Sequence, residues 1–202
     1  MALFGVLKGL TNTGLDSELE YVFSAPLSIN SNQPAFANDS MTLKRQGIFT
    51  GIQRWELTVS VVPETIPAGY LVHSILHGYT ERFYVRMPQL YTLCKIPQST
   101  VVKSNFNYAA KEHQIEVNTN LFQKGEFIRF SGHSKVYLIT NVVDDLIDIY
   151  PKLLKPIVLN EVIQKGSAVT MNGMYDTDVN LGLTFTDGIL TNTENVRIIE
   201  SL

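Results

Sequence analysis

Residues 122–154 read FQKGEFIRFSGHSKVYLITNVVDDLIDIYPKLL, and the fold turns on them. Three apolar runs, Phe127 to Phe130, Val136 to Val142 and Leu146 to Tyr150, are separated by Ser131-Gly132 and by Asp144-Asp145. Apolar runs of this length bounded by turn residues are short β-strands. In the middle run Val136, Leu138 and Val142 fall on one face and Tyr137 and Ile139 on the other, so the spacing predicts a strand buried on both sides. A small closed or half-closed barrel buries a strand in that way.

Outward from this stretch, Gln53 to Val61 shows the cleanest alternation in the chain. Trp55, Leu57, Val59 and Val61 share one face and Arg54, Glu56, Thr58 and Ser60 the other, the pattern of a half-buried strand. Its polar row is expected to pair with Lys44 and Arg45 on a strand over Met41 to Gln46. Pro63 and Pro67 then open a helix predicted over Ile66 to Leu76, with Gly78 as its stop. Other strands are predicted over Glu18 to Leu27, Arg82 to Met87, Gln114 to Asn120, Ser167 to Thr170, Val179 to Thr186 and Val196 to Glu200. Polar or glycine-rich stretches at Ser28 to Ser40, Gly47 to Gly51, Gln89 to Asn107 and Gly173 to Asp178 read as loops or linkers. Met1 to Leu15, apolar but broken by Gly5 and Gly9, is either an arm lying on another subunit or an element tucked on the core.

The chain has 202 residues, enough for one large or two small domains. Only 17% are charged, below the usual quarter, and Asn, Thr and Ser fill the difference. A surface of neutral polar groups suits a protein packed against its neighbours. The net charge is −3 and no Lys/Arg run exceeds two, so the basic stripe of a nucleic-acid binder is missing. Cys94 is the single cysteine, which excludes an intrachain disulfide and a cysteine-only metal site. No apolar run reaches the ~18 residues of a membrane span and the start lacks a signal-peptide pattern. A soluble protein in the cytoplasm where it is made is expected, with no membrane partner.

Chemistry finds little to stand on. His73 and His77 have the i, i+4 spacing of two metal-sharing imidazoles, but Ser74 replaces the glutamate of a hydrolytic zinc helix and no third ligand is near. Ser131, His133 and Ser134 with Asp144 or Asp145 spell a Ser/His/Asp set, yet adjacent turn residues rarely reach triad geometry and no Gly-x-Ser-x-Gly surrounds either serine. Asp144, Asp145 and Asp148, or Asp176, Asp178 and Asp187, lack the alternate spacing and closing glutamate of a calcium loop. No catalytic residue, cofactor site or metal site is therefore assigned, and the chain is read as no enzyme.

Two motifs carry a resemblance. The Lys124-Gly125-Glu126 turn, the Gly132-His133 pair, the Lys135 to Thr140 strand, the acidic turn and Tyr150-Pro151 resemble the C-terminal half of distal tail (Dit-like) proteins of long-tailed bacteriophages. Arg45-Gln46 with Gly51-Ile52-Gln53-Arg54-Trp55-Glu56-Leu57 is similar to an arginine-then-GGQRWEL signature of related tail and baseplate proteins, with Ile52 where many relatives have a second glycine. The resemblance implies a mainly β, α+β fold. An antiparallel tail-tube-like domain with one packed helix, residues 1–98 and 171–202, carries an inserted OB-like barrel, residues 99–170. It also implies a structural virion protein: a homo-oligomeric, hexameric ring at the distal end of the tail tube, joining the tube to a tail tip or baseplate. Its partners would be the tail tube protein, a baseplate hub or tail tip protein, and tape measure or tail fibre proteins. DNA would pass through without specific binding, past a slightly acidic wall that does not hold it. The alternative is a receptor- or glycan-binding module, with Tyr91, Phe106, Tyr108 or Tyr137 as stacking faces.

Overall fold

A computed structural model describes residues 3–4, 22–39, 45–49, 52–62, 82–87, 96–97, 99–119, 121–176, 183–187, 189–193 and 196–202. Within them the protein is built almost wholly of antiparallel β-sheet. One six-stranded sheet runs in the order β1 (Leu3–Phe4), β6 (Phe83–Arg86), β13 (Thr170–Tyr175), β16 (Val196–Glu200), β5 (Arg54–Val62), β2 (Val22–Asn32). Among the described residues only β1 and β6 pair in parallel. The described residues also form two separate hairpins: β3 (Ala35–Asp39) with β4 (Arg45–Phe49), and β14 (Leu183–Thr186) with β15 (Ile189–Thr193).

The second six-stranded sheet has the order β7 (Val102–Lys103), β12 (Val162–Gln164), β9 (Phe127–Phe130), β10 (Tyr137–Val143), β11 (Leu146–Tyr150), β8 (Gln114–Glu116). A bridge between Ser104 and Val117 joins the stretches that follow its two outer strands, so the pairing runs full circle. All six strands lie between β6 and β13, which pair with each other in the first sheet. The second sheet is thus an insertion between two neighbouring strands of the first.

The three runs of residues 122–154 form β9, β10 and β11 as their spacing predicts. β10 is the shared wall. Val136 and Leu138 join an apolar cluster between the sheets, with Trp55, Leu57, Val59, Val85, Met171 and Ile198. Tyr137 and Ile139 point the other way, among Ile115, Ile128, Phe130 and Ile147 inside the second sheet. Val142 departs from the expected face. A register shift between Ile139 and Asn141 reverses the alternation, and Val142 packs with the Tyr137 side.

Several expectations are corrected. Ser28 to Asn32 is not loop but the end of β2, an outer strand on which Ser28, Asn30 and Ser31 face water while Leu27 and Ile29 pack inward. Residues 35–39 and 47–49 are hairpin strands, and β13 runs through residues expected to be loop as far as Tyr175. β4 pairs with β3, and the strands found paired with β5 are β2 and β16, so the expected pairing of the β5 row with the strand that carries Arg45 is replaced. β7 lies inside the stretch read as a linker. The strand expected over residues 167–170 is a 3-10 turn, Gly166–Ala168, followed by the start of β13. The expected helix over residues 66–76, together with Gly78, Lys44 and residues 5–15, lies outside the described residues.

Candidate functional site

The inner face of β16 carries Val196, Ile198 and then Glu200, an acid where the alternation calls for an apolar side chain. Glu200 is buried, and its carboxylate is filled by three donors from two distant parts of the chain. Trp55 N–H donates to Oε2 at 3.0 Å and Val136 N–H donates to Oε1 at 2.9 Å. The ammonium of Lys135, also buried, donates to Oε2 and stands 5.6 Å from the centre of the Trp55 ring. The Trp55 indole N–H closes the set by donating to the Val136 carbonyl at 2.8 Å. Burial pushes the Glu200 carboxyl up and the Lys135 ammonium down, and each is pulled back by the other.

Aromatic edges complete this joint between the sheets. Phe127 and Tyr150 meet Trp55 edge-on at 5.4 Å and 6.1 Å between ring centres, and the Tyr150 hydroxyl is 2.8 Å from Ser31 Oγ on β2. Arg129 adds a bond across the junction, from Nη1 to the Thr170 carbonyl at 2.8 Å. Removing one partner of such a buried, hydrogen-bonded set strands the polar groups it satisfied. Its chemistry is that of a fastener.

On the opposite face of the first sheet, charges run in a row. Arg197 contacts Asp176 at 3.0 Å and Glu56 at 2.5 Å, and Glu56 also receives Arg54 at 3.2 Å and Asn32 at 2.6 Å. Burial raises the Glu56 carboxyl, but the Asn32 bond and the Arg197 guanidinium outweigh it and leave the pKa below the usual value. A shallow groove of about 430 Å³ beside the row is bordered by Ile52, Arg54, Met174, Ile199 and Leu202.

Glu126, at the entry to β9, is buried, and neither carboxylate oxygen has a hydrogen-bond partner of normal geometry. Burial pushes it up to about 7, against the opposing pull of the nearby Gln123 amide and the Lys165 charge.

The residues considered for chemistry are scattered. His133 is buried, with Nδ1 2.9 Å from the Tyr137 hydroxyl and Nε2 3.3 Å from the Pro156 carbonyl, and burial lowers its pKa. Its two nitrogens are thus spent inside the second sheet. Asp144 and Asp145 form the β10–β11 turn, Asp144 with φ of 52°. Asp148 accepts from Asn141, and Asp176 is held by Arg197. Asp187 is exposed on the β14–β15 turn with φ of 53°. Among the described residues no three His, Cys, Asp or Glu side chains converge as a metal site would require. His73, His77, Cys94, Asp178 and Tyr91 lie outside the described residues.

Of the aromatic stacking candidates, Tyr137 is fully buried and the Tyr108 hydroxyl accepts from Glu116 N–H at 2.7 Å. Phe106 is exposed. The three therefore do not form one outward platform. Among the described residues no helix is long and apolar enough to cross a membrane.

Sequence reasoning missed the joint. The signal was present in two places: Glu200 at an inward step of the β16 alternation, and Lys135 directly before the apolar run of β10. No protein-family model matches the chain, and no curated protein matches it either.

Proposed function

We propose that this chain is a structural protein of a phage tail, forming a six-fold ring at the distal end of the tail tube. The observation that carries the reading is the buried joint, in which Glu200, Trp55, Lys135 and Val136 lock an inserted β unit onto the first sheet. A ring component under load needs its parts held at one angle, and this joint resists both sliding and rotation. The circular strand pairing of the second sheet supports an OB-like barrel over residues 99–170, and the remaining described strands support a tail-tube-like domain. In this reading the first sheet continues the tube wall and the barrel projects from it. One heterologous contact repeated six times closes the ring. The tail tube and a baseplate hub or tail tip protein meet its two ends, tape measure or tail fibre proteins are further neighbours, and DNA passes without being held. The protein would then reside in the virion after synthesis in the bacterial host.

Electron microscopy of the concentrated protein tests the reading. Six-fold rings with an open centre are expected; uniform compact particles with no central opening, at every concentration, would oppose it.

A further inference from the structure

The flank of the second sheet built from residues 101–108 and 157–162 carries an apolar surface. Val101, Phe106, Val158, Leu159 and Val162 are 56%, 54%, 63%, 52% and 38% exposed. Backbone bonds set the two stretches side by side. Ser104 N–H donates to the Glu161 carbonyl at 3.1 Å, Asn160 N–H to the Ser104 carbonyl at 3.0 Å, and Tyr108 and Ile157 exchange bonds of 2.9 Å in both directions. Phe106 therefore lies alongside the turn at residues 158–160. Val162 sits across the ladder from Lys103, and Val101 shares the outward side of that strand.

The backbone amides of the 158–161 turn beneath these side chains are already satisfied, that of Asn160 by the Ser104 carbonyl. Val158 N–H donates to Glu161 Oε2 at 3.3 Å, Leu159 N–H to Asn107 Oδ1 at 2.6 Å, and Glu161 N–H to both the Val158 carbonyl and Ser104 Oγ. A sugar ligand would call for convergent free polar groups, and an added strand would call for free amides. This surface offers apolar contact instead.

We propose that the flank is a contact surface for a second copy of this chain. Five half-exposed apolar side chains present on the order of 400 Å², about the size of the largest apolar patch a monomer shows. That is close to the apolar share of the ~800 Å² each partner buries in a standard interface. The two stretches that border it carry one charge of each sign, Lys103 and Glu161, and the Glu161 carboxylate is already held by Gly132 N–H and Val158 N–H. Such a border selects no strongly charged partner and sets up no repulsion between copies. The contact stands independently of the six-fold ring, since two copies can meet here with or without one.

Light scattering over a concentration series, on the wild-type chain and two variants, tests it. The wild type is expected to associate, and Val158→Asp with Leu159→Lys to weaken that association at least about tenfold at an unchanged melting temperature. Val143→Asp, equally exposed but on the β10–β11 hairpin and outside the two stretches of the flank, is expected to associate as the wild type does. A wild type that stays monomeric throughout overturns the proposal, as does a flank variant that associates as tightly as the wild type or a Val143 variant weakened as much as the flank one. Wild-type rings that survive the flank substitutions would overturn this contact and leave the ring standing.

Discussion

The indole N–H of Trp55 donates to the backbone carbonyl of Val136 at 2.8 Å, tying a strand of the first sheet to the wall of the second across 81 residues of chain. Trp55→Phe keeps most of the apolar contact but leaves that carbonyl without its donor. A loss of about 1–3 kcal/mol is expected from chemical denaturation. Trp55→Ala also opens a cavity beside Phe127 and Tyr150, and about 3–5 kcal/mol is expected.

Glu200 and Lys135 are expected to differ in cost although they form one ion pair. Glu200→Ala strands three donors, the Trp55 and Val136 amides and the Lys135 ammonium, and is expected to cost about 3–5 kcal/mol. Lys135→Met leaves a carboxylate that still accepts two amides, so its loss is expected to be smaller. Thermal melts of the two variants at one pH check the order, and equal or reversed costs would show that the amides contribute little.

How much of this was legible in the sequence follows from how local each signal was. β9, β10 and β11 were readable because each alternates over several residues between clear turn residues. β7 and β12, of two and three residues, are too short for any period to show. The end of β2 looked like a loop because an outer strand leaves alternate positions to water, where Ser and Asn are ordinary. The shift past Ile139 belongs to the pairing of β10 with β11, so the misplacement of Val142 was invisible in one strand alone. Glu200 escaped for a similar reason. An acid at a strand end reads as solvated, and its partners are 64, 65 and 145 residues away.

Glu126 makes stability depend on pH with an unusual sign. Its pKa rises from 4.5 to about 7 in the folded protein, so between those values the folded chain binds the extra proton. Stability from this group is therefore full below pH 4.5 and falls as the pH rises to about 7. Glu126→Gln removes the charged form and is expected to stabilise the protein above pH 7 by about 1–3 kcal/mol, with the gain vanishing below pH 4.5. Denaturation midpoints of both proteins across that range check it; a constant difference would contradict the assignment.

The Tyr137 hydroxyl serves His133 Nδ1 and also accepts from Leu154 N–H at 3.2 Å. Tyr137→Phe leaves both groups without it inside the second sheet. A loss of about 1–3 kcal/mol is expected, together with faster amide exchange at Leu154 measured by NMR.

Native mass spectrometry of the concentrated protein measures whether the chain assembles into a six-fold ring. A closed species whose mass is six chains, or a whole multiple of six, is expected, with smaller species giving way to it as concentration rises. A discrete species of any other size that persists at the highest concentration, with no six-chain mass, would contradict the ring.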